Sequence, residues 1–218
     1  MTKINLMMME YEANGLHGQA KAQMIDGLLA EHKGEIKWLL VLSSVAELLL
    51  LPDYENAILL LIFNFLLWPA AFIDFRYMYL FNRLLYPLFY VGLFAGVVLS
   101  IGNIDYILSV VAGSLTLGGS LLLLQFISRG GLGAGDVKYG FAIGIWLCWQ
   151  QAVAALMVAF MAGGGVALCY MIYLVYRRKH CMGVKLPFGP FLALGAVVSF
   201  MYGTELFQKY ISLLQYLW

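Results

Sequence analysis

AILLLIFNFLLWPAAFID occupies residues 57–74 and carries no formal charge until it closes on Asp74. At 1.5 Å per residue a helix over 57–73 is about 25 Å long, close to the ~30 Å hydrocarbon thickness of a bilayer. Six further apolar segments surround it, at about 38–51, 84–101, 106–127, 137–150, 151–176 and 187–203. Across the chain 63% of residues are hydrophobic, 11% are charged and the mean hydropathy is +0.85. A soluble domain carries about 25% charged residues, and 218 residues of this balance cannot hide their apolar surface in one water-soluble core. The bilayer is the solvent. Because lipid-exposed backbone must satisfy its own hydrogen bonds, the segments are read as helices. The fold class is therefore all-α, a polytopic membrane helix bundle with a six-helix core over 57–203 and one additional N-terminal apolar helix.

Residues 1–35 contain Glu10, Glu12, Asp26, Glu31 and Glu35 and no long apolar core, so they read as a cytoplasmic segment rather than a cleaved signal. Within it, 16–33 has the pattern of an amphipathic helix. Residues 36–56 supply the additional membrane helix and its loop, with Glu47 read as a packing or snorkelling residue. LFQKYISLLQYLW, residues 206–218, is apolar but short, so 204–218 reads as a C-terminal interfacial segment. Basic residues give an orientation. The loops 52–56, 102–105 and 148–151 hold no Lys or Arg, whereas the alternate ones hold Lys33 and Lys37, Arg76 and Arg83, Arg129 and Lys138, then Arg177, Arg178, Lys179 and Lys185. That alternation fits seven crossings with the N-terminus in the cytoplasm, and it sets Asp74 and Asp136 on the cytoplasmic side.

Several function classes drop out. A net charge of +1 offers no basic field for nucleic acid. Cys148, Cys169 and Cys181 form no C-x-x-C pair, and His17, His32 and His180 show no metal-ligand spacing. There is no phosphate-binding G-x-x-x-x-G-K-[ST], no G-x-S-x-G and no H-E-x-x-H, so no cofactor or metal is expected.

What remains is carboxylate chemistry. Asp74 ends one apolar run and Asp136 opens another. Residues 139–149 alone make a helix of roughly 17 Å, too short to span, so the helix is expected to start near Asp136 and to draw that carboxylate to the membrane edge. Two carboxyl groups a few Å apart share a proton, one activating water while the other polarises a carbonyl. Taken singly, either aspartate reads first as a solvated residue at a membrane boundary. GGLGAGD, residues 130–136, adds a second signal. Four glycines within 130–135 let the backbone pass close to another chain or take positive φ, which suits the approach of an extended peptide.

Gly133, Ala134, Gly135 and Asp136 form the GxGD motif of membrane aspartyl proteases, and GGLGAGDVKYGFAIG resembles type IV prepilin peptidases in particular, Lys138 included. The family's first aspartate lies in a pattern D-x-R-x-x-x-x-P-N, which Asp74, Arg76 and Asn82 match while Phe81 stands in place of the proline. PFGPFLALGAV, residues 187–197, resembles the last membrane helix of bacterial members. The resemblance covers about 57–203, with the three elements in the family's order.

That resemblance implies a membrane-embedded aspartyl endopeptidase with Asp74 and Asp136 as the catalytic pair and no cofactor. Gly133, Gly135, Asn82 and Lys138 would bind substrate or shape the site. Asn82 also reads as a helix cap, and Lys138 and Arg76 as topology anchors. The implied substrate is a type IV prepilin or pseudopilin, cut after a short basic leader at the cytoplasmic face of the inner membrane, in pilus assembly or type II secretion. The implied partners are that substrate and the lipid bilayer. Many bacterial members carry two C-x-x-C pairs near the N-terminus, associated with N-methylation of the product. Residues 1–56 hold no cysteine, so peptidase activity without methylation is expected. Presenilin-type enzymes share GxGD but have Tyr before the first aspartate, where Ile73 stands. A transporter or channel using the two aspartates as a proton or cation relay is the rival from another class, and its inverted repeats or paired broken helices are not visible.

Overall fold

The computed structural model describes residues 19–50, 57–101, 103–129, 131–177 and 187–217, which fold into eight helices. They are α1 (Gln19–Glu31), α2 (Lys33–Leu50), α3 (Ala57–Tyr77), α4 (Asn82–Leu99), α5 (Ile104–Ile127), α6 (Ala134–Gly144), α7 (Trp149–Tyr176) and α8 (Gly189–Leu217). Five are long and apolar enough to cross a membrane: α3, α4, α5, α7 and the Gly189–Leu213 portion of α8. The protein is thus a polytopic bundle of helices, as its composition predicts. Glu47, Arg178, Lys179, Lys185 and the loop 52–56 lie outside the residues whose side chains are described.

Two segments depart from the sequence expectation. The apolar stretch 137–150 is not a full crossing. It forms α6, an 11-residue helix beginning at Ala134, and then a turn through Ile145 and Trp146. Second, α8 runs unbroken past the expected boundary at 203/204. No proline interrupts it there. Gly203 is buried, and a Cβ on it would lie 3.0 Å from Gln151 Cγ, so it serves close packing on α7 instead of ending the helix.

Small residues and side-chain-to-backbone hydrogen bonds set α6 inside the bundle, as they do where lipid supplies no hydrophobic drive between helices. Gly113 of α5 faces Gly144 of α6, and a Cβ on Gly144 would meet Gly113 O and Ser114 Cα at 2.7 Å. Ser114 Oγ donates to Phe141 O at 3.0 Å, and Trp146 Nε1 donates to Leu88 O of α4 at 2.8 Å. On the other side Tyr139, fully buried, donates its hydroxyl to Leu67 O of α3 at 2.9 Å. Leu67, Leu88, Leu117, Leu121, Ile143, Leu147 and Leu192 complete one continuous core around α6. The short helix is therefore held from α3, α4 and α5 at once, which fixes where its first turn, and Asp136, must sit.

Candidate active site

Three helix ends converge on the two aspartates. Asp74 lies in the last turn of α3 and is 5% exposed. Asp136 lies in the first turn of α6. The first residue of α8, Gly189, donates its backbone N–H to Asp74 Oδ2 at 2.8 Å. Two helix N-termini thus face the pair, and the positive end of each helix dipole suits a carboxylate. The carboxylates are close enough for the charge of Asp74 to act on Asp136.

The two aspartates have unlike surroundings. Asp74 Oδ2 has a donor in Gly189. Asp136 Oδ1 is buried with no hydrogen-bond partner among the described residues. Gly133, the N-cap of α6, lies against the Asp136 carboxylate, where a Cβ would stand 3.1 Å from Oδ2. Gly135 faces the segment after Asp74, where a Cβ would stand 3.0 Å from Leu80 Cβ. None of the described glycines has positive φ, so of the two reasons for the glycine run the structure selects close approach. The left-handed residues are Met78 (φ 53) and Arg129 (φ 50).

Asn82 and Lys138 meet each other and not the aspartates. Lys138 Nζ donates to Asn82 Oδ1 at 3.3 Å, tying the start of α6 to the start of α4. This corrects one sequence reading: Asn82 is the first helical residue and not a cap, since the N-cap is Phe81; Lys138 gains a protein partner beside its reading as a topology anchor. The pair borders a groove of about 300 Å³ lined by Leu85, Tyr86, Phe89 and Phe141. Arg76 pairs with Glu35 of α2 at 2.9 Å. The Arg76 guanidinium, through its hydrogen bonds, holds the Glu35 carboxyl below the usual carboxylate range. Among the described residues no three His, Cys, Asp or Glu side chains gather as a metal site.

Sequence reading did not single out Tyr139 or assign the Gly189 N–H to Asp74. Both had a signal. Tyr139 is a polar hydroxyl three residues after Asp136 on the same helix face, and Gly189 sits between two prolines' worth of helix breakers in PFGP.

The profile of the type IV leader peptidase family matches residues 60–168, half of the chain and both aspartates with it. The chain belongs to the type IV leader peptidase family. Among its relatives, a prepilin leader peptidase/N-methyltransferase of Aeromonas hydrophila is 28% identical over 181 residues, 81% of this chain and 60% of the relative. The enzyme of the same name from Dichelobacter nodosus is 31% identical over 152 residues, 69% of this chain and 50% of the relative. Leader peptidase HopD of Salmonella typhimurium is 38% identical over 78 residues, 35% of this chain and 46% of the relative. The chain thus spans about 60% or less of the length of these curated relatives. No solved structure matches it.

Proposed function

We propose that this leader peptidase family member is an aspartyl endopeptidase that removes the short basic leader of type IV prepilins or pseudopilins at the cytoplasmic face of the inner membrane. The observation that carries the proposal is the convergence of Asp74 and Asp136, 62 positions apart in sequence, under two helix N-termini.

The roles follow from the unlike surroundings. The backbone N–H donor on Oδ2 favours a carboxylate at Asp74, which suits it to take a proton from the attacking water. Asp136 Oδ1, with no donor, suits the member that holds the shared proton and gives it to the scissile carbonyl oxygen as the tetrahedral intermediate forms. That proton balance returns on collapse of the intermediate, when the leaving amine takes up the proton drawn from water. Gly133 and Gly135 let the Asp136 carboxylate and Leu80 approach closely, and the Lys138–Asn82 bond shapes the flank of the site. A basic leader retained in the cytoplasm matches the loops rich in Lys and Arg on the Asp74 side.

The test is purification in detergent or proteoliposomes, incubation with a candidate prepilin, and mass spectrometry of the product. A single cut ahead of the apolar pilin helix is the expected result. An intact prepilin beside folded protein, across several candidate substrates, would refute the proposal.

A further inference from the structure

The segment that follows Asp74 is short and strained. Met78 adopts φ 53, a conformation disfavoured for any residue with a Cβ, and its N–H donates to Asp74 O at 2.7 Å. Residues 79–81 then lead directly into α4. Leu80 of this turn abuts Gly135, next to Asp136, so its placement bears on both aspartates.

Helices α1 and α2 grip this turn from outside, on both of its sides. Met24 and Ile25 of α1 are buried against Ile73, the neighbour of Asp74, and against Phe81, the last residue of the turn. His32 Nε2 and the Tyr77 hydroxyl are 2.8 Å apart. Both oxygens of Glu35 accept from Arg76 Nη2, at 3.2 and 2.9 Å. Asp26 pairs with Arg83 at 3.2 Å. Ile73, Arg76 and Tyr77 belong to the end of α3, whereas Phe81 and Arg83 belong to the start of α4. Exposed ion pairs add little each, so buried Met24 and Ile25 supply the hold while Asp26, His32 and Glu35 set its register.

Resting on the peptidase reading above, we propose that α1 and the first turn of α2 form a clamp that positions Asp74, with Ile25 and Glu35 as its positioning residues. The clamp touches neither substrate nor the reacting atoms. It fixes the end of α3 against the start of α4 and so sets where the Asp74 carboxylate stands relative to Asp136.

The experiment uses the full chain in proteoliposomes, with initial rates on a cleavable prepilin and amide hydrogen exchange across residues 78–84. Ile25→Ser is expected to lower kcat roughly tenfold, since misplacement of a reacting group by a fraction of an ångström to 1 Å has effects up to about a hundredfold. KM is expected to stay within about twofold, and exchange at 78–84 to quicken. Charge reversal gives a second, independent arm: Glu35→Arg and Arg76→Glu each slow turnover, and the double variant recovers. Unchanged kcat and exchange in Ile25→Ser would overturn the clamp, as would a loss in Glu35→Arg and Arg76→Glu that the double variant does not recover. If no prepilin is cut by the wild-type chain, the peptidase reading fails, while the exchange arm still decides whether the clamp exists.

Discussion

The backbone N–H of Gly189 donates to Oδ2 of Asp74 at 2.8 Å, joining positions 115 residues apart in the chain. The contact leaves no space for a side chain. A Cβ on Gly189 would lie 2.6 Å from Asp74 Oδ2 and 3.0 Å from Asp74 Cβ and Cγ. Gly189→Ala must therefore move either the start of α8 or the carboxylate. The expected result is a drop of at least about tenfold in kcat/KM, or about 1.4 kcal/mol of transition-state stabilisation, with membrane insertion retained. Initial rates on equal amounts of folded enzyme check it. Wild-type rates in Gly189→Ala would mean that this contact does not set the geometry of Asp74.

Asp74→Asn and Asp136→Asn are each expected to abolish cleavage while the protein still inserts and folds. An amide keeps the shape of the carboxyl but can neither take a proton from water nor share one with its neighbour. EDTA is expected to leave the wild-type rate unchanged, because proton transfer between carboxyl groups needs no metal. Prepilin processing followed by gel shift or mass spectrometry reads all three, and substantial processing by either Asn variant would remove that residue from the proposed chemistry.

Tyr139→Phe separates the packing of α6 from its chemistry. The ring fills fully buried space that Phe also fills, so only the hydroxyl bond to Leu67 O is lost. Such interhelical bonds contribute about 0.6 kcal/mol on average in membranes, up to ~1.7. The variant is expected to unfold slightly more readily in a detergent or thermal titration. Its rate is expected to fall less than in either Asp→Asn variant. Full loss of activity with unchanged stability would place the Tyr139 hydroxyl among the groups that act on the reaction itself.

The membrane bundle and its long helices were legible in composition and in apolar run length, because a bilayer demands both from any chain that crosses it. The start of α6 lies near the expected residue, at Ala134, but the length argument does not explain it, because α6 has 11 residues and is no longer than the helix that argument rejected. What sequence did not resolve were relationships between distant segments. Whether glycine at 135 serves positive φ or close approach depends on Leu80, fifty-five positions earlier, and the answer is close approach. Whether Asn82 caps a helix or accepts from Lys138 depends on how α4 and α6 are packed. The α8 boundary was misplaced because a short apolar stretch reads alike as an interfacial segment and as the continuation of a helix, and burial of Gly203 against α7 decides it. Nothing in the sequence pairs Glu35 with Arg76 or Asp26 with Arg83, and only the placement of α1 and α2 brings them together.

Gly135→Val is expected to impair turnover more than Lys138→Ala. Gly135 immediately precedes Asp136, and a Cβ there would already stand 3.0 Å from Leu80 Cβ and 3.5 Å from Leu80 Cδ1. Valine adds two methyl groups to that contact, so the turn after Asp74 must move away from the start of α6. Overpacking of this kind costs about 1–3 kcal/mol, and here it acts between the two segments that carry the aspartates. Lys138 lies two residues further on and is exposed, and its bond to Asn82 is long at 3.3 Å. Losing an exposed bond of that kind costs at most about 1 kcal/mol. It loosens α6 from α4 without crowding either carboxylate. The comparison requires equal amounts of folded enzyme and initial rates over a range of prepilin concentrations. A larger loss in Lys138→Ala, above all one confined to KM, would move Lys138 from the flank of the site into direct contact with the substrate.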